Sequence, residues 1–271
     1  MLGREIEILK FENGNMSEVF YDGNNIYRDL KPYSKTIHKL LRHLENKKIN
    51  FVPRFLGIDY VKNQEILTFM EGNTIENYPD IDALEYKIRN IKLIANMLKE
   101  YHDATLDFHY GEEDEWFLEY KGSLDKEVIC HNDIAPYNIT FSKNAPVGII
   151  DFDTACPAPR IWDIAYAVYR FVPLSKKVYV PYKNDYRDYT RVSDSKERKV
   201  LIKKFADSYG DYEVKDILEN VILRLESLIE LFNSECQKGN MEFIKMKNEG
   251  HQEFYIEEIK FIKQNMNDWI E

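Results

Sequence analysis

One stretch constrains what this 271-residue chain can fold into more than any other: Val128 to Asp153, VICHNDIAPYNITFSKNAPVGIIDFD. A short apolar run, Val128-Ile129-Cys130, delivers a polar loop, His131-Asn132-Asp133-Ile134-Ala135-Pro136-Tyr137-Asn138. Two more apolar runs, Ile139 to Phe141 and Val147 to Ile150, flank Ser142-Lys143-Asn144-Ala145-Pro146, whose turn-forming residues predict a hairpin. The second run ends at Asp151. Asp133, Asn138 and Asp151 are therefore expected to project from strand ends around one point.

That spacing suits phosphoryl transfer, which needs a carboxylate beside the attacking hydroxyl and oxygen ligands for magnesium on a triphosphate. An H-x-D-x-x-x-x-N loop followed by a strand ending in Asp supplies both. Asp133 would orient the acceptor hydroxyl and take its proton, and Asn138 and Asp151 would hold the metal. The plainer reading is that Asx side chains close turns. It accounts for each of the three singly, but less well for three together beside His131 and IID.

HNDIAPYN and IIDFD resemble the catalytic and metal-binding segments of the aminoglycoside phosphotransferase and choline kinase-like family, a branch of the protein-kinase-like superfamily. The resemblance extends through LTFMEG at Leu67 to Gly72, YHDAT at Tyr101 to Thr105 and WDIAYAVYR at Trp162 to Arg170, covering about residues 10–170. It implies an α+β, bilobal protein-kinase-like fold. Residues 1–70 would form a small β-rich nucleotide-binding lobe, and residues 71–271 a larger, mostly helical catalytic and substrate-binding lobe. It also implies ATP or GTP as phosphoryl donor and Mg2+ as cofactor, with adenine on backbone groups of a connector that maps to Thr68 and Met70. The family's phosphate-binding lysine on the third strand is replaced here by Arg28, with Lys31 nearby. Arginine stays charged and binds phosphate bidentately. The glutamate that should pair with it from the next helix is missing; His38 stands near that place. Asp163, at a helix start, is expected to buttress the catalytic loop and His131 to serve as its scaffold. Phe152 matches the family aromatic, and Asp153 replaces a glycine.

Elsewhere the pattern predicts strands and turns over residues 4–30, including a turn at Asn13 to Ser17 that, with its single glycine, reads better as an ordinary hairpin than as a loop over phosphates. Ser34 is expected to cap a helix over Lys35 to Asn46. Two further strands lie within Phe51 to Ile58 and Glu65 to Phe69. An apolar stripe from Asp82 to Tyr101 predicts a long core helix. Asp107 to Tyr120 is expected outside the core, and Pro173 to Asp194 to lack regular structure. Helices are expected at Ser195 to Tyr209, Val214 to Asn233 and Met241 to Trp269.

Three scattered cysteines fit neither a disulfide framework nor a zinc site. With no signal-peptide pattern at the N-terminus and no apolar run long enough for a membrane helix, a cytoplasmic protein without membrane partner is expected. A net charge of −10 argues against nucleic acid. Acids cluster at Glu76 to Glu85 and Asp107 to Glu115, either as a solvated face or as a groove attracting a cationic aminoglycoside or amino alcohol. The reading is an ATP-dependent small-molecule kinase. Its rivals are a nucleotide-binding pseudokinase and a metal-dependent phosphohydrolase using His102, Asp103, His131 and Asp133.

Overall fold

The computed structural model describes residues 9–11, 19–210 and 212–270. Short β-prone runs separated by Asx and glycine turns fold into a five-stranded antiparallel sheet confined to residues 9–68. Its strands are β1 (Leu9–Phe11), β2 (Val19–Tyr21), β3 (Asn25–Asp29), β4 (Phe55–Asp59) and β5 (Gln64–Thr68), in the order β1-β2-β3-β5-β4. At the β2–β3 turn the Asp22 carboxylate accepts from the backbone N–H groups of Asn24 and Asn25. Register sets Arg28 on β3 directly opposite Glu65 on β5. Ile6, Ile8 and the Asn13–Ser17 turn lie outside the described residues.

Helix α1 (Ser34–Asn46) buries Ile37, Leu40, Leu41 and Leu44, as its spacing predicts. Ser34 is not its cap but its first residue. Its hydroxyl accepts the Lys31 N–H at 2.9 Å and closes the turn that leads into the helix.

The rest of the chain is mostly helical. Helix α2 (Leu84–Thr105) is followed by β6 (Val128–Cys130), the hairpin β7 (Ile139–Ser142) and β8 (Ala145–Ile149), and β9 (Cys156–Ala158). Then come α3 (Arg160–Phe171), the strands β10 (Lys177–Val180) and β11 (Asp185–Asp188), and α4 (Arg191–Tyr209). The described chain ends with α5 (Val214–Gln237), α6 (Met241–Asn248), α7 (His251–Asn265) and α8 (Asn267–Ile270). Helix α2 packs on α4, α3 on α5, and α5 on α7, around Ile91, Ile94, Leu98, Ile164, Val168, Leu201, Phe205, Val221 and Leu225. The architecture is thus α+β, a β-rich first part joined to a larger helical part.

Four expectations need correction. Helix α2 continues to Thr105, because Tyr101, His102, Ala104 and Thr105 are buried and prolong its inner face. Pro173 to Asp194 holds the antiparallel pair β10–β11, with Lys177 opposite Asp188 and Val180 opposite Asp185. Val178 and Val180 alternate inward there, a period-two signal masked by the surrounding tyrosines and charges. Asp107 to Tyr120 is not outside the core: Phe108 and Tyr120 are buried, and Phe117 meets Tyr33 of the turn before α1 at 5.6 Å. The last predicted helix is broken at Gly250, which has φ +88 between α6 and α7.

Candidate active site

The loop after β6 must turn sharply, and Asn132 does so at φ 65, a left-handed conformation that asparagine tolerates better than most residues. The turn is held from below by Asp163, in the first turn of α3 and wholly buried. One Asp163 oxygen accepts the His131 N–H at 2.7 Å and the other the Asn132 N–H at 2.9 Å. His102 completes the support. With its Nε2 proton toward Asp163 (3.1 Å), its Nδ1 is left to accept from the Tyr209 hydroxyl (2.7 Å), which in turn accepts from Arg160 at 3.1 Å. Burial holds the His102 imidazole below its usual pKa although Asp163 opposes this, so it stays neutral. Burial raises the Asp163 pKa, but His102, His131 and the loop N–H outweigh it and hold the carboxyl below the usual range.

On this support stand the expected polar groups. His131 Nε2 donates to the Ile150 carbonyl at 3.0 Å and its Nδ1 accepts the Asp133 N–H at 3.3 Å, tying the loop to the end of β8. Ile150 N–H donates to the Asn138 carbonyl at 2.9 Å. The Asn138 amide nitrogen donates to Asp133 Oδ2 at 2.8 Å, and the Tyr137 hydroxyl donates to Asp133 Oδ1 at 2.8 Å. Burial raises the Asp133 pKa, with Asp151 adding to it and the Tyr137 hydroxyl, His131 and Arg170 opposing it. A carboxylate so biased is a better proton acceptor than a free one.

Asp151 follows β8 in the left-handed region, φ 65 and ψ 73, and is half exposed. Its Oδ1 lies 2.9 Å from Arg28 Nη1, and Asp153 Oδ1 lies 2.8 Å from Arg28 Nη2. Arg28 also pairs with Glu65 at 2.7 Å, and Glu65 accepts His38 Nε2 at 2.6 Å. Burial opposes the Arg28 charge, yet Asp153, Glu65 and Asp151 together raise its pKa. Burial likewise pushes the Asp153 carboxyl up, to about 6. The ion pair expected between strand and helix is therefore rebuilt: the acid comes from β5, and the helix supplies His38. Contacts thus link Asp133 to Asn138 and Arg28 to Asp151, and Asp151 acts electrostatically on Asp133.

The donor set suits a hard cation. Because Asn138 turns its nitrogen to Asp133, its amide oxygen faces away, and Asp151 and Asp153 add only carboxylate oxygens; magnesium takes oxygen ligands. Lys31 lies in the turn before α1 rather than on β3. Thr68 is committed to β4: its N–H donates to the Arg54 carbonyl at 3.0 Å and its hydroxyl accepts the Arg54 N–H at 2.8 Å. Met70 lies over β8, and a Cβ added to Gly148 would sit 2.9 Å from its methyl carbon.

Sequence reasoning missed Glu65, Tyr137 and Arg170. Glu65 stands at the polar start of β5, beside Gln64, and none of the three carried a clear signal. His102, Cys130 and Asp163 also gather, their ligand atoms within 4.8 Å of one another. Both His102 nitrogens and both Asp163 oxygens are already hydrogen-bonded, and burial pushes the Cys130 thiol well up. Asp103 is half exposed and paired with Arg160 at 2.7 Å. Several acids of the two clusters are paired as well: Asp80 with the Tyr86 hydroxyl, Asp82 with Lys87, Asp107 with Lys47 and Asp114 with Lys39. No helix among the described residues is long and apolar enough to cross a membrane.

A β-rich part joined through a connector to a larger helical part, with an acid-bearing loop and an aspartate just after β8 brought together, is a kinase-like α+β fold. Residues 79–194 match the model of the phosphotransferase enzyme family, which bears out the resemblance carried by HNDIAPYN and IIDFD. The trifolitoxin immunity protein of Rhizobium leguminosarum bv. trifolii is 31% identical over 157 residues, 57% of this chain. The chain spans only 58% of that relative's length. Among solved structures, a GDP and kanamycin complex of an APH(2")-III aminoglycoside phosphotransferase superposes with TM-score 0.59 at 12% identity, covering 96% of this chain and 93% of that one. A Plasmodium vivax ethanolamine kinase superposes with TM-score 0.55 at 14% identity, covering 97% and 83%. At these identities the two superpositions show a shared fold.

Proposed function

We propose that the chain transfers the γ-phosphoryl group of ATP, with GTP as the alternative donor, to a hydroxyl of a small molecule. The observation that carries this reading is one linked set of groups: Asn138 is hydrogen-bonded to Asp133, and Asp151, just after β8, acts on Asp133 and pairs with Arg28. In this reading Asp133 accepts a hydrogen bond from the acceptor hydroxyl and takes its proton as the bond to phosphorus forms. Tyr137 and Asn138 fix the carboxylate for that task. Asn138 and Asp151 would hold magnesium, which neutralises charge on the phosphates when bound. Arg28, and Lys31 if the described turn closes on nucleotide, would contact phosphate, and the backbone of Thr68 and Met70 would meet the base. The Thr68 N–H is taken by Arg54, so its share in base binding falls to its carbonyl. Positioning and charge neutralisation then supply most of the rate.

The boundary between nucleotide-binding and catalytic lobes is placed at residue 70. The Arg28–Glu65 pair weighs against a pseudokinase, since the ion pair missing from the helix is present in another form. The committed hydrogen bonds of His102 and Asp163 weigh against a phosphohydrolase built on them. Aminoglycosides and amino alcohols are the first acceptors to screen, as the names of the structural neighbours suggest. The test is ATP consumption over a library of hydroxyl compounds, with Asp133→Ala as control. Loss of about 100-fold or more in turnover is expected; turnover unaltered by that substitution overturns the assignment.

A further inference from the structure

Three arginines reach into the helical part: Arg170 on α3, Arg198 on α4 and Arg224 on α5. Each has a buried Nε without a hydrogen-bond partner. Two of the three are nevertheless anchored. Arg198 donates to the carbonyls of Leu174 at 3.2 Å and Ser175 at 2.6 Å, and Arg224 donates to the Asn132 carbonyl at 2.8 Å. The Arg170 side chain makes neither a hydrogen bond nor an ion pair among the described residues; its guanidinium carbon lies over the Tyr137 ring at 5.1 Å. Arg170 is half-buried, with its Nε out of water, and a charge even partly withdrawn from water is ordinarily paired.

Its surroundings place this charge beside Asp133. Tyr137, on which it stacks, donates to Asp133, and Arg170 acts electrostatically on Asp133 itself. Tyr166, Tyr169, Tyr186 and Tyr255 also lie within its field. Arg28 is held by Asp151, Asp153 and Glu65, and Arg170 is paired with none of them. The tyrosines bring ring faces and hydroxyls but no acid. The acid behind them, Glu258, is committed to Ser175, to the Tyr169 hydroxyl and to the Lys176 N–H.

We propose that Arg170 binds an anionic group, a carboxylate or phosphate, of the acceptor, so that the hydroxyl oriented by Asp133 belongs to an anionic or zwitterionic small molecule. A guanidinium offers several donors in a fixed fork that matches either group. The tyrosine rings wall the molecule, and Tyr137 links the anchoring charge to the Asp133 carboxylate. This inference rests on the phosphotransferase reading and sharpens its acceptor class.

The experiment compares wild type with Arg170→Met and Arg170→Lys in an ATP-consumption assay. The panel holds hydroxycarboxylates and sugar phosphates against ethanolamine, kanamycin and glycerol. Binding of a fluorescent ATP analogue with magnesium, measured on every protein, checks folding and the nucleotide site separately. The expected result is turnover with anionic acceptors and a KM raised by about 50-fold in Arg170→Met, the size of a lost charge-assisted hydrogen bond. Arg170→Lys recovers part of that, and nucleotide binding does not change. Turnover of cationic or neutral acceptors with kcat/KM unchanged in Arg170→Met overturns the inference and leaves the phosphotransferase standing. Failure of wild type to bind nucleotide overturns both. Should no compound on the panel be phosphorylated, inorganic sulfate titrated into the nucleotide-saturated protein decides. A rise in melting temperature absent from Arg170→Met supports the assignment, and equal rises or none refute it.

Discussion

Replacing Arg28 by methionine tests the rebuilt ion pair. Arg28 is 11% exposed and holds Glu65, which is 2% exposed, and Asp153, which is 13% exposed. Asp151 is 48% exposed, so its share is screened and counts for little. Without the guanidinium, Glu65 keeps only His38, and an uncompensated buried carboxylate costs about 3–5 kcal/mol. For a chain of this size that lowers Tm by about 6–20 °C. Glu65→Gln alone costs less, because Arg28 retains two carboxylates. In the double variant the stranded charge of Glu65 is gone and only that of Asp153 remains, so the cycle should show a coupling of about 2 kcal/mol or more. Urea unfolding followed by far-UV circular dichroism, at pH 7 and low salt, reads all four proteins. A single-variant loss under about 1 kcal/mol, or strict additivity of the two substitutions, refutes the view that these groups form one buried unit.

Two further outcomes follow from the scaffold. Gly72 has φ +107, and a Cβ there would sit 2.7 Å from the Phe141 carbonyl oxygen, so Gly72→Ala should cost on the order of 2–3 kcal/mol in thermal melts. An unaltered melt would mean that the connector does not cross β7 this closely. His102 is kept neutral by burial, so its folded pKa is depressed while the unfolded chain takes up a proton below about pH 6.5. Stability is therefore lost as pH falls from about 6.5 toward the folded value, at up to about 1.4 kcal/mol per pH unit. His102→Gln removes that slope; equal slopes in the two proteins over this window would show His102 to be charged in the fold.

Local patterning determined much of this protein. The period of apolar residues marks α1, α2 and the β7–β8 hairpin, and the loop-plus-strand spacing marks Asp133, Asn138 and Asp151, because each depends on neighbours a few residues away. The turn itself needed only Lys143 and Asn144, both at positive φ. The β10–β11 pair escaped notice because only its two inward valines carry the alternation, and the break at Gly250 because apolar spacing continues across it.

Pairings between distant segments were decided by tertiary structure alone. Arg28 could be seen to lack its helix glutamate, but only the antiparallel register of β3 against β5, 37 positions away, puts Glu65 opposite it. Asp163 reaches the loop after β6 from 31 positions further on, and Arg170 comes to Tyr137 through the packing of α3. Sequence carries chemistry in short-range spacing; which charge is neutralised, and by which partner, depends on surfaces that meet only when the chain closes.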